Sequence, residues 1–463
     1  MSGRVVAVVG GGITGLAAAR QAVALGAERV VVFEASDRLG GKLRTSPFAG
    51  LPAVDEGPDA FLARVPEAVA LCRELGLGDD LVSPAIGKAW LWWDHRLHAL
   101  PEGLVLGVPS DLAGLARSRL LSWRGKARAA LEPVLPGLAA SAARDNLGAL
   151  VRARFGDEVL ERLVDPLVGG INAGDADELS ARSSAPQILD VTARNRSLLI
   201  GLRRQAARAP KNPGPIFLAP RGGMGSIVER LVAELAATGV ELRLNTPVER
   251  VERAGERWGV GDVEADAVIV ATPAFVAGPQ LADASAEAAG VLRAIPHSSV
   301  AMITLAFRDE HVGRALDGSG HLVPKPAQRA MTACSWASTK WTHWKAPGQS
   351  VLRASLGRYG NEAAAHGSDA DLTGRAIADL TEALELRGDP TAVRVTRWDK
   401  AFPQHTPGHL DRVAGVEAAL RRDAPGVWAV GAAHRGVGIP ACIRQGRAAA
   451  TDALARLAER TSG

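Results

Sequence analysis

Tyrosine occurs once in the 463 residues, at position 359, methionine four times and cysteine three times, and aromatic residues make up only 4% of the chain. The cysteines, Cys72, Cys334 and Cys442, are odd in number and far apart. That excludes a disulfide framework and a paired-cysteine metal or redox site, and it fits a reduced, cytoplasmic setting. No apolar run approaches the ~18 residues of a spanning helix. No cationic leader with a cleavage site is recognisable either, so membrane contact is expected to be peripheral at most. The formal net charge is +4, and the basic residues are scattered without interleaved aromatics, which argues against nucleic acid as a partner. Neither a Ser/His/Asp set nor a helical two-histidine zinc motif is present, and no metal site is expected. A hydrophobic content of 47% is ample for the cores of two or three domains.

Against these absences stands a glycine-rich opening. An apolar run ends at Gly10, and Gly10, Gly11, Gly12, Ile13, Thr14 and Gly15 lead into a helical pattern. In such a strand-to-helix turn the first glycine allows the tight bend, the second admits a pyrophosphate to the backbone, and the third lets helix and sheet pack closely. The spacing alone is also met in turns that bind nothing. Its context decides: the next apolar run, 30–33, ends at Glu34, about 20 residues beyond the last glycine, where a carboxylate can accept the ribose hydroxyls of an adenosine. Ala35 follows it. Arg38, Gly40, Gly41 and Lys42 then add a second glycine pair with cations suited to another phosphate. This glycine doublet resembles the large flavoprotein group that includes amine oxidases, carotenoid desaturases and porphyrinogen oxidases, which implies FAD.

Farther along, 4–35 reads as strand, helix, strand, and 66–75 as a helix with Val69, Cys72 and Leu75 on one face. The tryptophan-rich stretch 89–100 reads as a hairpin. Residues 108–210 are mostly helical in pattern. A helix at 226–237, strands at 240–244 and 267–272, a helix near 369–386, a strand at 427–430 and a helix at 446–457 complete the expected elements. The expected fold class is α/β: a discontinuous Rossmann-type FAD-binding domain (1–86, 211–290 and 406–463), an α+β substrate domain (87–107 and 291–405) and a helical insertion (108–210).

Four segments carry a closer resemblance that spans nearly the whole chain. Residues 54–64 read Val-Asp-Glu-Gly-Pro-Asp-Ala-Phe-Leu-Ala-Arg, and 165–175 read Asp-Pro-Leu-Val-Gly-Gly-Ile-Asn-Ala-Gly-Asp. Arg397-Trp398 is followed by Phe402-Pro403-Gln404 and Gly408-His409, and 436–443 read Gly-Val-Gly-Ile-Pro-Ala-Cys-Ile. Together they resemble the oxygen-dependent porphyrinogen oxidases of haem biosynthesis, and most of all the Gram-positive bacterial coproporphyrinogen III oxidases. The resemblance implies that Gly57, Pro58, Asp59 and Ala60 run past the flavin, that the backbone of Val248 meets the adenine, and that Trp398 lies near the isoalloxazine. It implies that Val437, Gly438 and Ile439, at the opening of the last helix, turn backbone donors to the pyrimidine edge, and that Ile171 and Ile439 pack over the reactive face. The same pattern departs from the family at Gly431-Ala432-Ala433-His434, where an acidic residue is often found, at Ala441, and at Val65.

The implied chemistry takes six electrons from a porphyrinogen in three two-electron flavin cycles, with dioxygen as acceptor and hydrogen peroxide as product. FAD is expected to be held non-covalently, since no His or Cys lies in an attachment motif. Substrate propionates need cations. Arg64, just past the flavin-facing turn, is the first candidate, with Arg194, Arg196, Lys340 and Lys345 behind it. His343, His405 and His409 are the histidines to weigh as proton carriers. The resemblance further implies a tetrapyrrole as substrate and a ferrochelatase downstream to receive the product. Protoporphyrinogen IX stands as an alternative substrate, and a flavin amine oxidase, a carotenoid-type desaturase or a flavin-free binding protein on the same fold as other readings. Oligomeric state is not readable.

Overall fold

A computed structural model describes residues 4–136, 145–208 and 214–462. Its nucleotide-type sheet has five parallel strands in the order Glu241–Arg243, Arg29–Phe33, Val5–Val9, Ala267–Val270 and Val427–Ala429. The inner strands are short runs of Val, Ile and Ala with both faces buried, as parallel strands covered by helices must be. Three distant stretches of chain supply them. The helix Ile13–Ala24 crosses over from the first strand, and the last helix, Ile439–Ser462, packs along it.

A seven-stranded sheet forms the second layer, in the order Ala392–Pro403, His297–Arg308, Gln349–Leu356, Met331–Trp336, Gly320–Leu322, Trp90–Trp93 and Arg96–Ala99. The last two strands form the expected tryptophan hairpin, closed by Asp94 and His95 at φ of 50° and 58°, the positive values that a tight two-residue hairpin turn requires. One sheet face is apolar and covered by the helix Asp369–Leu384, with Ile303, Leu305, Leu352 and Ala354 meeting Leu372, Ala376 and Leu380. The alternate residues face the nucleotide unit, and Arg353 and Arg394 reach across to it.

From Leu112 to Arg208 the described residues are mainly helical, around a core that includes Leu150, Phe155, Leu163 and Leu202. At its centre Glu132 pairs with Arg154 while accepting the N–H groups of Leu198 and Leu199 at 2.8 and 3.2 Å. The buried carboxylate thereby caps the helix Leu198–Arg208. The boundary expected at 210/211 lies outside the described residues.

The helices expected near 66–75, 226–237 and 369–386 occur as Pro66–Glu74, Gly225–Ala237 and Asp369–Leu384. The final helix starts at Ile439, where the resemblance opens it, and not at 446, where its pattern is first read. Gly446 is interior to it, where a Cβ would sit 2.2 Å from the carbonyl oxygen of Thr14, so this glycine sets the close helix contact and is no start signal.

Candidate active site

The loop between the first strand and helix is built to receive an anion. Gly10 has φ 107° and donates its N–H to the Phe33 carbonyl at 2.8 Å. A Cβ at Gly15 would lie 1.9 Å from the Gly10 carbonyl oxygen, whereas one at Gly12 would meet nothing within 4 Å. Gly15 thus serves packing, and Gly12 leaves open space for an approaching ligand. The helix begins without a side-chain cap and with no acidic residue in its first turn, so its N–H donors and dipole are available to a phosphate. Glu34 stands at the end of its strand as expected. One carboxylate oxygen accepts the Gly11 N–H at 2.8 Å, and the other accepts the Ser36 N–H and hydroxyl at 2.9 and 2.7 Å. Ala35 is exposed beside it.

The second glycine pair lies against the first loop. Gly40 donates to the Gly11 carbonyl at 2.8 Å, and Gly41, at φ 56°, sits over Gly12. Lys42 follows with no carboxylate partner among the described residues, and burial holds its ammonium below the usual lysine range. A half-buried cation without an anion, beside an uncapped helix start, matches the needs of a pyrophosphate.

The turn at 57–60 is held from the other sheet. Arg353 donates to the Gly57 carbonyl at 2.5 Å and lies 3.4 Å from the Asp59 carboxylate. Lys340 binds the same carboxylate at 2.8 and 3.0 Å, and the Trp341 indole donates to it at 3.0 Å. Burial opposes ionisation of Asp59, but Lys340 and Arg353 overcome it and keep the carboxyl well below its ordinary range. Asp55 behaves oppositely: burial pushes its pKa up to about 6 despite hydrogen bonds from Thr45 and the Met224 N–H. The Trp398 indole donates to the Glu56 carbonyl at 3.0 Å and its ring lies against Gly57.

Comparison with known proteins places this geometry. Residues 13–454 match the family model for flavin containing amine oxidoreductases. The chain belongs to that family. Within the flavin containing amine oxidoreductases it is 35% identical over 472 residues to the coproporphyrinogen III oxidase of Bacillus subtilis, with 98% of each chain covered. It is 30% identical over 486 residues to human protoporphyrinogen oxidase, again with 98% of each covered. A solved structure from Exiguobacterium, described as a putative protoporphyrinogen oxidase, superposes with a TM-score of 0.88 at 31% identity, covering 98% of this chain and all of that one. UDP-galactopyranose mutase shares the fold at a TM-score of 0.72 and 16% identity. The protein is an FAD-dependent oxidoreductase, and the open space at Gly12, the carboxylate of Glu34 and Lys42, unpaired among the described residues, fit such a cofactor in chemistry.

Several expected contacts in this flavin family member take a narrower form. The Asp59 carboxylate is occupied by Lys340, Trp341 and Arg353, so only its backbone remains for a cofactor. Lys340 is likewise not a free substrate cation. The Val248 carbonyl accepts the buried Gln280 amide at 2.8 Å, and its N–H has no partner among the described residues. Trp398 keeps its ring face but not its donor. Pro58 and Ala60 are partly exposed, as are Val437 and Ile439, and Gly438 is exposed at the start of the last helix. Ile171 projects from the helix Asp165–Asn172 and is 54% exposed. Arg64 is exposed with no carboxylate partner among the described residues, as are Arg194, Arg196 and Lys345.

Two of the three candidate histidines are held by backbone carbonyls. His405 and His409 stack at 3.9 Å and bind the Ala432 and His434 carbonyls at 3.0 and 2.9 Å. They brace the loop that departs from the family pattern. Burial, helped by His409, pushes His405 down to about 3, and burial also lowers His409 and His343. Sequence reasoning missed Arg353, Asp55 and Gln280. The first left a signal, a lone cation in the apolar run 351–356.

Proposed function

We propose that the protein oxidises coproporphyrinogen III to coproporphyrin III in haem biosynthesis, with dioxygen as acceptor and hydrogen peroxide as product. The observation that carries this reading is the end-to-end similarity at 35% identity to coproporphyrinogen III oxidases of several bacteria. Protoporphyrinogen IX is the second reading, favoured by the 30% identity to the human enzyme of that name. Against an amine-caging site stands the lone Tyr359, whose backbone is tied to the Ala173 carbonyl at 2.8 Å.

FAD, when bound, accepts two electrons in each of three cycles. The chain's residues hold and orient. Glu34 and Ala35 receive the ribose, residues 10–15, Gly41 and Lys42 the diphosphate, and Val248 the adenine. The 57–60 turn, the Trp398 face and the helix start at Val437, Gly438 and Ile439 frame the isoalloxazine. A helix N-terminus there favours negative charge on the pyrimidine edge. Ile171 and Ile439 offer apolar cover to a flat macrocycle, and Arg64 offers a two-pronged grip on a propionate. No protein base is required, which agrees with the burial that lowers the pKa of His343, His405 and His409.

No helix among the described residues is long and apolar enough to cross a membrane. We place the protein in the cytoplasm, with peripheral contact at the inner membrane face. Supporting that contact, Trp123 is 74% exposed beside the exposed Arg117, Arg119 and Arg124. Handover of the product to a ferrochelatase follows from the same reading. Side-by-side turnover of the two porphyrinogens, read by product fluorescence, tests it: coproporphyrinogen III should be the faster substrate, and a clear preference for protoporphyrinogen IX reverses the assignment.

A further inference from the structure

Arg353 is 4% exposed in the strand Gln349–Leu356, flanked by the buried Leu352 and Ala354. Its guanidinium leaves its own sheet and meets two acceptors on the 57–60 turn, the Gly57 carbonyl and the Asp59 carboxylate. The residue after Gly57 is Pro58, which has no N–H, and the turn is pressed so closely that a Cβ at Gly57 would lie 2.4 Å from the Lys42 carbonyl oxygen and 3.3 Å from the Trp398 ring. Arg353 therefore fixes a turn that touches both the phosphate cation Lys42 and the tryptophan placed at the isoalloxazine. The Arg353 Nε has no partner among the described residues, so the burial of this cation is not explained by a saturated packing role.

We propose that Arg353 is a positioning residue for the flavin, setting the 57–60 turn and supplying positive charge beneath it. The proposal rests on the reading that this turn faces the cofactor. The charged groups of the cluster are Lys340, Arg353 and Arg394 against Asp55 and Asp59, while the neighbouring Glu56 is paired with Arg44 at 3.1 Å. Removing Arg353 takes one cation from beneath a ring system that gains negative charge on reduction, so reduction becomes harder. A lysine restores the charge but cannot reach a carbonyl and a carboxylate as a rigid fork does.

The test uses the FAD-loaded full chain as wild type, Arg353→Gln, Arg353→Lys and Ala60→Trp. Midpoint potential, visible circular dichroism of the flavin and thermal stability are measured on each. Arg353→Gln should lower the two-electron reduction equilibrium at least tenfold, a fall of about 30 mV. Arg353→Lys should return the potential towards wild type while its flavin dichroism stays altered. If Arg353→Gln does not fold, the lysine variant decides by its dichroism alone. Unchanged potential and dichroism in the arginine variants, with only thermal stability reduced, overturn the proposal and leave Arg353 as a packing residue. Ala60→Trp reads the premise separately: a flavin spectrum it does not disturb overturns the proposal through its premise, whereas a disturbed spectrum with unresponsive arginine variants overturns the proposal alone.

Discussion

The two halves of the proposed cofactor cradle are made in different ways. At the proposed diphosphate end nearly everything comes from residues 10–42 and from the backbone: open space at Gly12, an uncapped helix start, and one acid and one cation at Glu34 and Lys42. At the proposed flavin end the 57–60 turn is gripped by Lys340, Trp341 and Arg353, in and beside the other sheet, 281 to 296 residues away in sequence. Backbone recognition can be written in a short local motif because it needs only glycines and a helix. Side-chain recognition across two sheets needs charges that meet only after folding. The first should therefore be sensitive to added atoms, and the second to lost charge.

The severest break of the backbone half is Gly15→Ala. The new Cβ would fall on the Gly10 carbonyl oxygen with no side chain to yield, costing about 3 kcal/mol or more. The variant should purify colourless with a reduced melting temperature, and a yellow protein of normal stability would show that the loop can relax. Arg64→Ala probes the side-chain half where it meets substrate. Folding and flavin spectrum should persist while kcat/KM for coproporphyrinogen falls about thirtyfold to hundredfold, from about 2–3 kcal/mol of lost contact. Arg64→Lys should recover only part of this. Equal kcat/KM in all three proteins would make Arg64 an ordinary surface arginine.

Glu34→Ala and Lys42→Met sharpen the comparison within the first half, since these are the charged side chains proposed to hold the ribose and the diphosphate. Each should weaken FAD binding by about 1.5–3 kcal/mol in calorimetric titration. Unchanged affinity in both would mean that the backbone alone suffices. The effect at Asp55 is confined to acid pH. Its folded pKa of about 6 lies above the ordinary 3.8, so the folded protein holds this proton more tightly than the unfolded chain does. The associated stability is full below about pH 4 and is lost as pH rises to about 6. Asp55→Asn cannot lose a proton. Its stability relative to wild type should rise by about 2–3 kcal/mol across that window and then level off, as read by denaturant melts at several pH values. A flat difference would contradict a buried carboxyl with a raised pKa.

Legibility in sequence followed the same division. The Gly10 to Gly15 loop, Glu34 and the valine-rich strands were readable because their residues are neighbours and their periods are short. So were the tryptophan hairpin and the helix Asp369–Leu384, which carries its own Ser368 cap. The start of the last helix was legible from the resemblance but not from its pattern, because Gly446 reads as a breaker until the helix at Ile13–Ala24 is seen against it. Asp59 was readable as part of the 57–60 turn, but its partners were not, since Lys340 ends the helix Ala337–Lys340 and Arg353 lies in the strand Gln349–Leu356, both far along the chain. Nor could spacing reveal that His405 and His409 brace the loop after Val427–Ala429.

The most direct test of the account mixes the FAD-loaded protein with coproporphyrinogen III in air and follows coproporphyrin fluorescence together with hydrogen peroxide. Six electrons leaving in pairs to dioxygen predict three peroxides for each porphyrin formed. Fluorescence rising no faster than in an enzyme-free control, or porphyrin formed without peroxide, would contradict it.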